Sequence, residues 1–189
     1  MRAGELESLR ERIAASPDAI LVMVVLVIFM DMMIYGLLIP ILPQYASSLS
    51  VEESVLGVIF GLYAAMLLVF SIPMGLLSDR LGRRPLIVVG MLLLALATAL
   101  FGLSSTVLHL AAARTVQGIS AAATWSAGLA LIADTCDPAR LGEKMGIALS
   151  SVGLGTVLGP VAGGLLFEYA GYTATFILPA ILAAVIGLL

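Results

Sequence analysis

The stretch "LIVVGMLLLALATALFGL", Leu86 to Leu103, contains no charge and no proline. Coiled as an α-helix at about 1.5 Å per residue, a run of this length nearly crosses the roughly 30 Å hydrocarbon core of a bilayer. It is continuous rather than alternating. That excludes a strand of a membrane β-barrel, whose apolar and polar positions alternate over segments of about ten residues. Working outward from this run, the polar breaks in the 189-residue chain divide it into six apolar spans, at about 19–43, 54–77, 85–103, 107–133, 145–167 and 172–189. A composition of 61% hydrophobic and 11% charged residues is far more apolar than that of a water-soluble domain. The expected fold class is an all-α membrane protein of six transmembrane helices, with a short segment, 1–18, ahead of a membrane domain, 19–189.

Basic residues set the expected orientation. Arg2, Arg10 and Arg12 precede the first span, Arg80, Arg83 and Arg84 separate the second from the third, and Arg140 and Lys144 separate the fourth from the fifth. All lie on one side, which the positive-inside bias makes the cytoplasm, so the amino terminus is expected there and the protein in the cell (inner) membrane. The segment "ELESLRER" is too charged for a cleavable signal, and Leu6, Leu9 and Ile13 recur at helical spacing, as in a short amphipathic helix on the inner face. Ser16-Pro17-Asp18 reads as a helix start, with a capping hydroxyl, a proline at the first helical position and an acid at the positive dipole end. The mixed charge gives no nucleic-acid surface. Cys136, the only cysteine, has no partner for an internal disulfide.

An internal repeat is visible. "GLLSDRLG", Gly75 to Gly82, and "GLLFEYAG", Gly164 to Gly171, share G-L-L-x-acid-x-x-G and each closes an apolar span. An odd number of spans separates them, so they meet opposite membrane faces. Two inverted three-helix repeats follow, an arrangement that in secondary transporters places the site between the repeats near the midplane.

Four motifs carry chemistry. In "GLLSDRLGRRP", Gly75 and Gly82 permit a tight turn, while Asp79, Arg80, Arg83 and Arg84 build a charge cluster; plain anchoring would need the arginines alone. In "GTVLGPVAGG", Gly155, Gly159 and Gly163 give a stripe without side chains for close helix contact, Gly164 adds a second glycine pair, and Pro160 removes a helix hydrogen bond. In "RTVQGISAA", Arg114 and Gln117 share a helix face, and Trp125 returns to that face about 16 Å deeper. In the first span, Asp31 and Tyr35 share a face ahead of "PILPQY", with Pro40 and Pro43. Together these motifs resemble the major facilitator superfamily, and within it the drug:proton antiporters that include tetracycline exporters and vesicular amine transporters. The resemblance covers nearly the whole chain and corresponds to the amino-terminal six-helix half of that fold. Ser120 stands where the family usually has glycine. The resemblance implies a cytosolic latch in which Asp134 partners Arg83, an antiporter motif in the fifth span, and a cavity lined by the first and fourth helices.

Asp31 and Arg114 are the only formally charged residues deep within the spans. Charge at that depth is costly, and commonly faces a wet cavity and marks an ion or substrate path. Burial disfavours an ionised carboxylate and a nearby cation favours it. Asp31 is therefore expected to bind either a proton or a cationic substrate, with Tyr35, Arg114, Gln117 and Trp125 around it and Trp125 available to stack on an aromatic or cationic molecule. A permanent Asp31–Arg114 structural pair is the competing expectation. The function expected is proton-coupled antiport of small cationic or amphipathic aromatic molecules by alternating access, with the proton gradient as energy source and no cofactor or metal. An intramembrane protease is the enzymatic rival, but Ser120 and His109 lie about 16 Å apart along one helix, too far for a nucleophile and its base. The non-enzymatic rival is a six-helix membrane subunit, or a homodimerising half-transporter, without transport of its own. The expected partners are the bilayer, protons, a small-molecule substrate and a second six-helix half, in the same chain or a second copy.

Overall fold

The computed structural model describes residues 16–48 and 52–188. The expected amphipathic segment around Leu6, Leu9 and Ile13 lies outside them. The described chain is helical throughout: α1 (Pro17–Ser48), α2 (Glu53–Leu81), α3 (Arg83–Gly102), α4 (Val107–Thr135), a short 3-10 turn (Pro138–Arg140) and α5 (Leu141–Leu188). All five α-helices are long and apolar enough to cross a membrane. A helix satisfies its backbone hydrogen bonds within itself, which the bilayer interior demands.

The starts follow local chemistry. Ser16 Oγ accepts a hydrogen bond from the Ala19 N–H at 3.2 Å, one turn into α1, as its capping role requires. Thr106 does the same for α4, accepting from the His109 N–H at 3.3 Å.

The structure departs from the sequence expectation at two connections. The cytosolic loop expected between the second and third spans is a single residue, Gly82, at φ 95° and ψ 154°, between α2 and α3. The loop expected at "EYAGY" is also absent: the fifth and sixth spans form one 48-residue helical element whose one non-helical residue is Gly171, at φ 78° and ψ 175°. Both glycines hold a positive φ that other L-residues rarely adopt, so each redirects the chain without a loop.

Packing is dominated by α1 against α5, α3 against α4, α2 against α4 and α3 against α5. Val24, Ile28, Met91, Leu94, Ala127 and Ala183 belong to one buried core, and Leu37, Leu38, Phe101, Leu110 and Phe176 to a second toward the other end of the bundle. The α1–α5 seam is close because of the glycine stripe. A Cβ on Gly155 would stand 2.8 Å from the Phe29 carbonyl, one on Gly159 2.9 Å from the Gly36 Cα, and one on Gly163 2.8 Å from the Leu37 carbonyl. Gly164 has open space around it and takes no part in the seam. An equivalent approach joins α2 to α4, where a Cβ on Gly118 would lie 2.5 Å from the Tyr63 carbonyl.

Gly159→Leu is therefore expected to insert into the membrane yet lose the α1–α5 seam, at a cost of about 1–3 kcal/mol from overpacking. Thermal unfolding of the detergent-solubilised protein measures this; an unchanged midpoint would show that the stripe does not set the packing.

Candidate functional site

The Asp31 carboxylate lies at the centre of the bundle, 1% exposed. Two neutral donors from two other helices hold it. The Tyr63 hydroxyl of α2 donates to Asp31 Oδ2 at 2.9 Å, and the Trp125 indole N–H of α4 donates to the same oxygen at 2.9 Å. One carboxylate oxygen thus ties α1 to α2 and α4. Asp31 Oδ1 is buried without a hydrogen-bond partner among the described residues.

Arg114 is also completely buried, and no ion pair joins it to Asp31 among the described residues. Its guanidinium is walled by aromatic faces: its Cζ lies 4.6 Å from the ring centre of Phe60, 5.1 Å from Tyr35, 5.7 Å from Phe101 and 5.9 Å from Tyr63. Ring quadrupoles attract a cation and partly replace the counter-charge that burial withholds. Arg114 Nη1 donates to Gln117 Oε1 at 2.9 Å, as the three-residue spacing on one helix face anticipates. Arg114 Nε and Nη2 and Gln117 Nε2 have no partner among the described residues. Polar capacity is therefore open on both the acidic and the basic side of the cluster.

The structure brings together all five residues singled out around the aspartate: Asp31, Tyr35, Arg114, Gln117 and Trp125. It gives Trp125 a hydrogen bond to the carboxylate beyond the stacking face expected of it. Sequence reading missed Tyr63, Phe60 and Phe101. The available signal was modest: Phe60 and Tyr63 are three residues apart and so share one face of the second span.

At the end of the bundle where α2 meets α3, Arg83 joins three helices. Its Nε donates to Asp134 Oδ2 at 2.9 Å, and its Nη1 donates to Asp79 Oδ1 at 2.5 Å and to Ser78 Oγ at 3.0 Å. Both carboxylates are more than half exposed, so solvent screens each pair and each contributes little. Arg80 is exposed and outside this network; Gly75 touches nothing a side chain would reach. Arg84 instead lines a groove of about 630 Å³ between α1, α3 and the end of α5, away from Asp31. A further pair escaped the sequence reading: Lys144, 9% exposed on α5, donates to Asp18 at the start of α1 at 2.6 Å.

Ser120 and His109 do not meet. Ser120 Oγ donates to the Gly90 carbonyl across the α3–α4 seam at 2.8 Å, while exposed His109 faces Ser105. The hydroxyl where the resemblance expects glycine is thus used in packing.

The Major Facilitator Superfamily profile matches residues 24–189, all of this bundle but the first two turns of α1. The chain belongs to the major facilitator superfamily. It is 34% identical over 176 residues to the MFS-type transporter ppzB of Metarhizium rileyi, covering 90% of this chain and 36% of that protein. It is 32% identical over 151 residues to the class B tetracycline resistance protein of Escherichia coli, covering 78% of this chain and 37% of the relative. The human synaptic vesicular amine transporter is 32% identical over 146 residues, 77% of this chain and 28% of its own length. The chain spans about a third of the length of the curated relatives it matches. As a major facilitator chain with several apolar helices, it is a multi-pass membrane protein.

Trp125 is the only tryptophan, so intrinsic fluorescence reports directly on Asp31. Asp31→Leu removes the acceptor of the indole N–H and should shift the emission, and Asp31→Asn, which keeps an acceptor, should shift it less; identical spectra would mean that the bond is absent. At the Arg83 network, Arg83→Asp or Asp134→Arg alone should raise the reactivity of cysteines introduced at that end of the bundle toward a thiol reagent, and the double exchange should partly reverse the rise. Wild-type reactivity in both single variants would exclude a latch.

Proposed function

We propose that this chain is the amino-terminal six-helix half of a proton-coupled major facilitator antiporter that exports small cationic or amphipathic aromatic molecules. The observation that carries the reading is a buried carboxylate held by neutral donors in place of an ion pair. Ionised Asp31, bonded to Tyr63 and Trp125, still offers Oδ1 to a cation. A proton on the same group cancels the charge that the cation needs. Competition of two ligands for one carboxylate, each arriving from its own side, is the elementary step of antiport. The lack of an Asp31–Arg114 bridge favours this over a permanent structural pair. Relatives named for tetracycline resistance and for amine transport support a cationic, ring-containing substrate class.

Six crossings and an inverted repeat fit the same reading. A 48-residue α5 would be about 72 Å long if straight, more than twice the hydrocarbon thickness, so a turn at Gly171 yields a fifth and a sixth crossing. Gly82 and Gly171 end the two copies of G-L-L-x-acid-x-x-G and adopt closely similar backbone angles. The glycine-mediated seams α1–α5 and α2–α4 are also exchanged when the first three crossings are superposed in sequence order on the last three.

The second six-helix half, on this reading, covers apolar residues that the described chain leaves exposed, such as Leu68 and Ile72 on α2 and Val157 and Val161 on α5. The amino terminus is cytoplasmic and the membrane is the inner membrane. The Arg83–Asp134–Asp79 network holds the cytosolic side shut in the outward-facing state, and its low energy suits a contact that must break in each cycle.

Asp31→Asn keeps the size of the side chain but cannot ionise, so it is expected to abolish pH-gradient-driven substrate accumulation in vesicles bearing the complete assembly, without loss of membrane insertion. Adding Arg114→Gln should not rescue it. Recovery of coupled flux in the double variant would instead make Asp31 a structural counter-charge to Arg114.

A further inference from the structure

Two opposite charges share one low-dielectric cluster without pairing, although attraction between them at that depth would be strong. Tyr63 is the side chain that touches both. Its hydroxyl donates to Asp31 Oδ2 at 2.9 Å, its ring lies 5.9 Å from the Arg114 guanidinium carbon, and the residue is 6% exposed. Its ring also rests on Tyr35, the residue one turn beyond Asp31, at a centre-to-centre distance of 5.0 Å. The backbone places it there: Gly118 lets the Tyr63 carbonyl approach α4 more closely than any side chain would permit, one turn from Arg114. Tyr63 therefore enters the cluster from a helix that carries neither charge, and it presents its polar tip to the anion and its π face toward the cation.

We infer that Tyr63 is a positioning residue that keeps Asp31 and Arg114 from forming an ion pair, so that the counter-charge of Asp31 is left to be supplied by a transported cation or a proton. The inference rests on the reading of Asp31 as the shared site, but it concerns an arrangement that exists without transport. The ring separates the charges and the hydroxyl satisfies the carboxylate, so the two parts of the side chain have separable effects. Removing the hydroxyl alone leaves the separation; removing the ring lets the flexible Arg114 side chain reach across to Asp31.

The test uses the chain in lipid vesicles and the apolar reagent dicyclohexylcarbodiimide. This reagent adds to a protonated carboxyl in the membrane and spares one locked as a carboxylate beside a cation. Mass spectrometry of the peptide bearing Asp31 gives the labelled fraction. Labelling is expected in the wild type and in Tyr63→Phe. In Tyr63→Ala it should fall about tenfold, because an opposite charge brought beside a carboxylate favours its ionised form. Tyr63→Ala with Arg114→Gln should regain it. That regain would not follow from a merely structural role for Tyr63, and it requires a folded bundle. Wild-type labelling in Tyr63→Ala, a loss that Arg114→Gln fails to reverse, or a wild-type Asp31 that resists the reagent would each overturn the inference. If the labelling pattern holds while Asp31→Asn leaves coupled flux intact, Tyr63 separates the charges but Asp31 is not the transport site.

Discussion

The constraint on which the arrangement depends is the cost of ionisable groups at membrane depth. A bilayer offers no water to solvate a carboxylate or a guanidinium, so each must find its stabilisation within the bundle. Asp31 finds it in two hydrogen bonds from α2 and α4, and Arg114 in four aromatic faces and a glutamine. Neither solution is complete, since each group keeps buried polar atoms without a partner among the described residues. A purely structural polar core is driven toward full satisfaction, because unpaired buried groups cost about 1–3 kcal/mol each. On the antiport reading proposed here, that incompleteness leaves room for exchangeable ligands.

The rest of the bundle serves to bring three helices to that point. Glycine seams allow α1 to lie against α5 and α2 against α4 at distances that leave no room for a Cβ. Between helices already surrounded by hydrocarbon, association gains little from excluding water and relies on close van der Waals contact. The seams fix helix rotation, and rotation decides that Asp31, Tyr63 and Trp125 converge. A substitution in the α1–α5 seam therefore reaches the carboxylate through α1 itself.

The two ends of the bundle differ in energetic character. In the interior, the charges are buried; at the rim where α2 meets α3, Asp79 and Asp134 are solvated and their pairs with Arg83 are weak. Lys144 with Asp18 is intermediate, a mostly buried amine against an exposed carboxylate, and it binds the first turn of α1 to the first turn of α5.

The sequence alone determined the helical membrane class and the approximate ends of the first four helices, because uninterrupted apolar runs, capping residues and glycines act locally; it split α5 into two spans. The family resemblance implied the Arg83–Asp134 contact, and a glycine spacing that leaves one stripe bare anticipated close helix contact along the fifth span, though not that α1 is the helix it meets. The sequence did not reveal that Gly82 and Gly171 replace whole loops, since a glycine's backbone angles are not written in its identity. Nor did it show that Tyr63, Phe60 and Phe101 stand around Arg114, or that the Tyr63 hydroxyl bonds Asp31. Those contacts join helices that are apolar on nearly every side, and such helices carry no polar face from which to read their orientation. Which residues meet at the centre was decided by helix rotation and crossing, quantities fixed only when the small-residue seams of the whole bundle close together.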